Sequence, residues 1–171
     1  MVLTPSQLPA MLFSRESDEW ATPWPLFKWL DSSFQFTLDP CATVETAKCN
    51  KFYTQQDDGL AQSWSSERVF MNPPYSAALK WMEKAWSESQ LGATVVCLTA
   101  ARTDTRWYQD YVIGKANEVQ FLPGRVTFLR PGKDANTAPF PSCVIIYRPP
   151  VQRKFLRLRP NSNQLMKGDS K

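Results

Sequence analysis

The chain has 171 residues, enough for one domain with a real hydrophobic core. Hydrophobic residues make up 43% and charged residues 21%, an ordinary globular balance, and the complete absence of histidine excludes imidazole metal sites, Ser-His or Cys-His nucleophile pairs and imidazole acid–base chemistry. The net charge of +4 is uneven: residues 148–171 hold seven basic and one acidic side chain (+6), which leaves −2 on the rest, so this end reads either as a solvated tail or as a surface for a polyanion, nucleic acid or membrane.

Residues 1–19 mix Pro and Ser and are expected to be loosely held. They lack the charged start and long apolar core of a signal peptide, and no apolar run is long enough to span a membrane, so a reducing cytoplasmic setting is the default. In "WATPWPLFKWL" (20–30), Thr22 is expected to cap a helix and Pro23 to sit in its first turn, with Leu26, Trp29 and Leu30 on one face. "FQFTLDP" (34–40) alternates and stops at Asp39-Pro40, the pattern of a strand running into a loop. A short helical turn over 44–48 follows, then a brief strand over 51–53 and a loop carrying Asp57, Asp58 and Gly59. Val69–Met71 is an apolar strand, and Ser76 is expected to cap a helix with Ala78, Trp81, Met82, Ala85 and Trp86 at helical spacing, the two tryptophans as core.

"ATVVCLTA" (93–100) is a continuous β-branched run, expected to be buried on both faces. Residues 102–116 read as a loop and a helix ending near Gly114. "EVQFL" (118–122), "RVTFL" (125–129) and "CVIIY" (143–147) read as three final strands, the last two separated by a Gly/Pro/Asn loop. Four cysteines are spread along the chain without a CxxC spacing, so zinc is not expected, and Cys97 and Cys143 in apolar runs read as buried small hydrophobes. Strands alternating with helices predict an α/β fold with a largely parallel sheet, in which ligands bind beyond the carboxyl ends of the strands. Asp39, the Asp57–Asp58 loop, Asn72–Tyr75 and Arg102–Asp104 all fall on that side.

"RVFMNPPYS" (68–76) carries the most chemistry. Two prolines make a stiff extended corner and remove backbone donors, so acceptors there stand at fixed positions. The Asn72 side-chain oxygen and the Pro73 carbonyl fit the two hydrogens of a substrate amino group, and Tyr75 can lie over a planar ring. Holding an amino group between two acceptors opposes delocalisation of its lone pair and makes the nitrogen more nucleophilic, with neither metal nor strong base. Pro-Pro alone is common, but Asn-Pro-Pro-Tyr between a strand and a helix is far more specific.

These residues, with "WATPWPLF", "FTLDPCAT", "AKCNKFYT", "DDGL", "RTDTRWY" and "FLPGRVTF", resemble the small bacteriophage-type DNA N6-adenine methyltransferases, the Dam family, over about residues 20–147. The resemblance implies a Rossmann-like class I methyltransferase fold: a mostly parallel, seven-stranded sheet with helices on both faces. It also implies methyl transfer from S-adenosylmethionine to N6 of a flipped-out adenine in double-stranded DNA, giving S-adenosylhomocysteine, with no metal. It divides the chain into a loosely ordered segment 1–19, a methyltransferase domain 20–147 and a basic tail 148–171. Asn72, Pro73, Pro74 and Tyr75 would form the catalytic loop. Asp39, Pro40, Cys41 and Ala42 would replace the Gly-rich cofactor loop that many methyltransferases carry, and Thr22 and Pro23 would hold the methionine part of the cofactor. Either Asp57 or Asp58 would approach its adenosine, one of them being a turn residue before Gly59. Asp39 would meet the cofactor ammonium or cap a helix, and Trp20 would stack on the cofactor adenine or act as a hydrophobic staple. Arg102, Arg106 and Arg125 would meet DNA phosphates or base edges, and in the tail Arg153, Lys154, Arg157 and Arg159 would add phosphate contacts that strengthen binding without reading sequence. Two other readings stand beside this one: the same chemistry on RNA adenine or a protein glutamine amide, and a non-catalytic nucleic-acid-binding module on a degenerate methyltransferase fold.

Overall fold

A computed structural model describes residues 20–130 and 133–150. The expectations for residues 1–19, and for Arg153, Lys154, Arg157 and Arg159, lie outside the described residues. Helix α1 (Trp24–Phe34) starts after Pro23, and Pro23 itself occupies the capping position in extended conformation (φ −65°, ψ 138°). The expected Thr22 cap is therefore corrected by one residue: Thr22 precedes the helix, and prolines at 23 and 25 occupy the end where missing N–H groups cost nothing. The buried face of α1 is Phe27 and Leu30, while Trp29 is exposed. Phe34 ends this helix and does not begin a strand. Gln35 turns left-handed (φ 52°), donates to Asp31 O at 2.8 Å, and leaves strand β1 only Leu38–Asp39.

Strand β2 (Lys51–Phe52) is the edge, and β3 (Arg68–Met71) lies on the other side of β1. A 3-10 turn (Tyr75–Ala77) leads into α2 (Ala78–Gln90), so the helix starts after Ala77 and not at the expected Ser76. Then follow β4 (Thr94–Ala100), α3 (Arg106–Tyr111), β5 (Glu118–Phe121), β6 (Thr127–Arg130), β7 (Lys133–Thr137) and β8 (Ser142–Tyr147). The main sheet has order β2-β1-β3-β4-β8-β5. Its first three pairings are parallel, and β8 runs antiparallel to both neighbours.

The sheet thus has six strands among the described residues, not seven. The expected strand over 125–129 leaves the sheet to pair with β7, which the sequence presents as a loop. This hairpin takes a place on the α1 face: Phe128 and Ala138 pack with Phe27, Leu30, Phe70, Val96, Leu98, Val144 and Ile146. On the other face α2 and α3 bury Trp81, Met82, Trp107 and Tyr108 against Val69, Met71, Val95, Cys97, Cys143 and Ile145. The alternation of Val69 and Met71 against Phe70, and of Val95 and Cys97 against Val96 and Leu98, is the two-residue strand period dividing one sequence between two cores. Trp81 is core as expected, and Trp86 is half-buried.

Chain order reverses between β1 and β3: the chain moves out to β2 and returns to the opposite side of β1. That crevice, outside the carboxyl ends of parallel strands, is where such sheets bind ligands. No helix among the described residues is long and apolar enough to cross a membrane.

Candidate active site

A cleft opens at this reversal, lined by Trp20, Ala21, Thr22, Asp39, Cys41, Ala42, Thr46, Lys48, Phe70 and Asn72. Six of the residues singled out by sequence, Trp20, Thr22, Asp39, Cys41, Ala42 and Asn72, meet here from three separate segments. Ala21, Thr46, Lys48 and Phe70 were not anticipated. Phe70 was legible as strand and core, but Thr46 and Lys48 sit in an irregular turn whose pattern carries no signal of a binding role.

Asn72 follows β3 and its amide nitrogen donates to the Trp20 carbonyl. A carbonyl can only accept, so this bond fixes which way the amide faces. Asn72 Oδ1 is buried without a hydrogen-bond partner among the described residues, and so is Thr22 Oγ1. A buried acceptor left unpaired costs about 1–3 kcal/mol, and two such oxygens on residues that line one cleft suit a ligand that donates. The backbone oxygen of Asn72 is occupied: the Cys41 thiol donates to it at 3.4 Å, tying the loop after β1 to the loop after β3.

Pro73 is buried and Pro74 is extended (φ −59°, ψ 126°), the stiff corner expected of the pair. The ring of Tyr75 meets Phe140 edge-on, with centroids 5.1 Å apart and planes at 87°. Phe140 also meets Trp20 edge-on at 6.4 Å, and Trp20 meets Phe128 at 5.6 Å. The segment carrying Trp20 is laced to the hairpin by a pair of backbone bonds between Ala21 and Leu129, each 2.9 Å. Three elements distant in sequence therefore converge on the Asn-Pro-Pro-Tyr corner.

Asp39 is buried, and its carboxyl is pushed up to about 6 by burial. The Lys48 N–H, donated to Asp39 Oδ2 at 3.1 Å, and the Lys48 charge pull the other way. Lys48 is half-buried, and burial lowers its own ammonium from the usual lysine range. Burial and the Asp39 charge push the Cys41 thiol up, so it is a thiol and not a nucleophilic thiolate.

Several anticipated residues lie elsewhere. Pro23 holds the capping position of α1 and Pro40 is buried in the loop after β1, neither of them lining the cleft. Asp57 and Asp58 are exposed in a turn. The Asp57 carboxylate accepts from the Thr54 N–H at 2.8 Å and the Thr54 hydroxyl at 2.7 Å, and Asp58 takes a left-handed conformation (φ 49°). The turn nevertheless packs closely against the loop after β1, because a Cβ on Gly59 would lie 2.0 Å from the Pro40 carbonyl oxygen. Arg102, Arg106 and Arg125 stand on loops or a helix start at the same edge of the sheet as Asn72, Arg102 facing Asp104 at 3.4 Å and Arg106 facing Asp110 at 3.1 Å. Among the described residues no group of three or more acidic or cysteine side chains is placed to hold a metal.

A family model described as DNA N-6-adenine-methyltransferase (Dam) matches residues 10–169. The chain is 31% identical over 140 residues to the DNA N-6-adenine-methyltransferase of Haemophilus phage HP1, covering 78% of this chain and 80% of that one. It is 30% identical over 95 residues to the DNA N-6-adenine-methyltransferase of Escherichia phage T1, covering 54% of this chain and 40% of that one. A solved structure from Pyrococcus horikoshii, described as a candidate RNA methyltransferase, aligns with 61% of this chain and 52% of its own at 15% identity, with a TM-score of 0.43.

Proposed function

The chain belongs to the DNA N-6-adenine-methyltransferase (Dam) family and is a DNA adenine-N6 methyltransferase, and we propose that it works by holding a flipped-out adenine at Asn72 beside a cleft that takes S-adenosylmethionine. The observation that carries this reading is the buried Asn72 Oδ1, oriented by the Trp20 carbonyl and left without a partner among the described residues.

Asn72 Oδ1 and the Pro73 carbonyl accept the two N6 hydrogens of adenine. With both hydrogens engaged, the nitrogen lone pair turns out of conjugation with the ring and toward the methyl donor. The contribution is positioning and electrostatics, which needs no general base before bond formation. The proton leaves after the new N–C bond has made the nitrogen acidic, and water takes it. Tyr75 supplies the ring on which the extruded base stacks, offsetting part of the few kcal/mol that unstacking costs.

The cleft's donor set fits S-adenosylmethionine: Asp39 for its ammonium, Thr22 and the loop of Cys41 and Ala42 for its methionine part, Trp20 along one wall. When bound, S-adenosylmethionine supplies an electrophilic sulfonium methyl and leaves as S-adenosylhomocysteine. Arg102, Arg106 and Arg125 at the same edge, with Arg153 and Lys154, would take DNA phosphates. A cytoplasmic site of action, where DNA and the methyl donor meet, belongs to the same reading, as does the division into segments 1–19, 20–147 and 148–171.

Tritiated methyl groups offered with DNA, RNA and protein in parallel test the assignment. Label should appear in DNA, at N6 of adenine. Label in RNA or on glutamine, with none in DNA, would overturn it. Asn72→Ala should lower turnover by about 100- to 1000-fold, the usual loss for a pre-placed polar group at the reacting atom, with the cofactor still bound in calorimetry.

A further inference from the structure

Ser142 opens β8 with its hydroxyl buried and without a hydrogen-bond partner among the described residues. It pairs with Ala100, and the two-residue strand period puts it on the same face of the sheet as Val144 and Ile146. Phe70, which lines the cleft, and Phe140, whose ring meets Tyr75, pack on that face too. Thr99 Oγ1 is likewise buried and unpaired among the described residues, but it falls on the opposite face with Val95 and Cys97. Only β4 separates β8 from β3, so Ser142 stands two strand spacings, about 10 Å, across the sheet from Asn72. Two buried oxygens thus stand at the carboxyl edge of the sheet, Asn72 Oδ1 as an acceptor and Ser142 Oγ with a proton to donate. A span of that size takes a purine with one hydrogen bond at each end.

We propose that Ser142 is a specificity-determining residue whose hydroxyl donates to ring nitrogen N3 of the flipped adenine. N3 lies directly across the six-membered ring from the carbon that carries N6, so a base held by its amino group at Asn72 turns N3 toward β8. This rests on the placement of the base at Asn72 and deepens it. In cytosine the ring atom across from the amino-bearing carbon is the nitrogen bonded to the sugar, which has no lone pair to offer. The site then favours adenine, because cytosine would leave the buried hydroxyl unpaired. A merely structural Ser142 would affect every base alike.

Single-turnover methylation by the full chain separates the two, with duplexes whose target adenine is kept or replaced by 3-deazaadenine, which has C–H in place of N3. Ser142→Ala should slow the adenine duplex by roughly 5- to 50-fold, the worth of one buried hydrogen bond, and leave the 3-deazaadenine duplex at the parent's rate. Its melting temperature should be no lower than the parent's, because the substitution removes a polar atom that folding leaves unpaired. Ser142→Cys, close in size and a much weaker donor, gives the same reading should Ser142→Ala show no folded melting transition. Equal slowing of both duplexes, or of neither, overturns the role of Ser142. An Asn72→Ala variant as fast as the parent overturns the base site itself. An inactive Asn72→Ala beside a Ser142→Ala that treats both duplexes as the parent does overturns only the inference.

Discussion

Burial holds the Asp39 carboxyl at about 6, above its ordinary 3.8. Between those values the folded chain keeps a proton that the unfolded chain has lost, so this group favours folding more as pH falls from about 7 to about 4. The ionised form costs about 3 kcal/mol at neutral pH, and a bound ammonium would recover part of that. Asp39→Asn should therefore melt higher than the parent at pH 8 without ligand, with the advantage gone by pH 4. It should also bind S-adenosylmethionine weakly at every pH, whereas the parent's affinity falls as pH drops through 6. Melting curves and calorimetry across that range decide both. Beside it, Tyr75→Ala should slow methylation by roughly 10- to 100-fold, the worth of one stacked base, with partial recovery in Tyr75→Phe or Tyr75→Trp. Equal single-turnover rates for Tyr75→Ala and the parent would remove the stacking role.

At the scale of elements, the turn over 54–62 is a prop for the loop after β1. Gly59 touches the Pro40 carbonyl, and Trp64, fully buried, donates its indole N–H to Gly59 O at 3.0 Å. Glu88 of α2 accepts the Trp64 N–H at 2.8 Å and pairs with Lys84 at 2.6 Å. Gly59→Ala has no room for its methyl group and should cost about 1–3 kcal/mol, read as a lower melting temperature and weaker cofactor binding together. The elements legible in the sequence were those with a strong period: α2 with its apolar stripe, and β4 and β8, buried on both faces. Strand β7 was not, because "KDANT" has no apolar alternation and is a strand only through pairing with β6. The Asn72 corner could be read because prolines dictate backbone shape locally. Lys48 could not, because its place beside Asp39 is made by a turn and by α1 behind it, neither of which leaves a spacing in the sequence.

For the whole molecule, the proposed reading gives the near-neutral body the methyl transfer and the +6 end a grip on DNA. A body lacking residues 151–171 should keep S-adenosylmethionine affinity but bind DNA more weakly. Its log affinity should fall less steeply with log salt, by about 0.9 for each phosphate that the tail would have neutralised. An unchanged salt slope would show that the tail stays off the duplex. The strip Trp20–Thr22 gives the body a further property. It grips Asn72 through one carbonyl, lines the cleft beside it, and is stitched by Ala21 to Leu129 of the hairpin that leads on to Phe140 and Tyr75. A duplex pressing on that hairpin would nudge the amide that aims the reacting nitrogen. A poor target sequence would then be held nearly as tightly as a good one and turned over more slowly, so selectivity would appear in kcat before it appeared in KM.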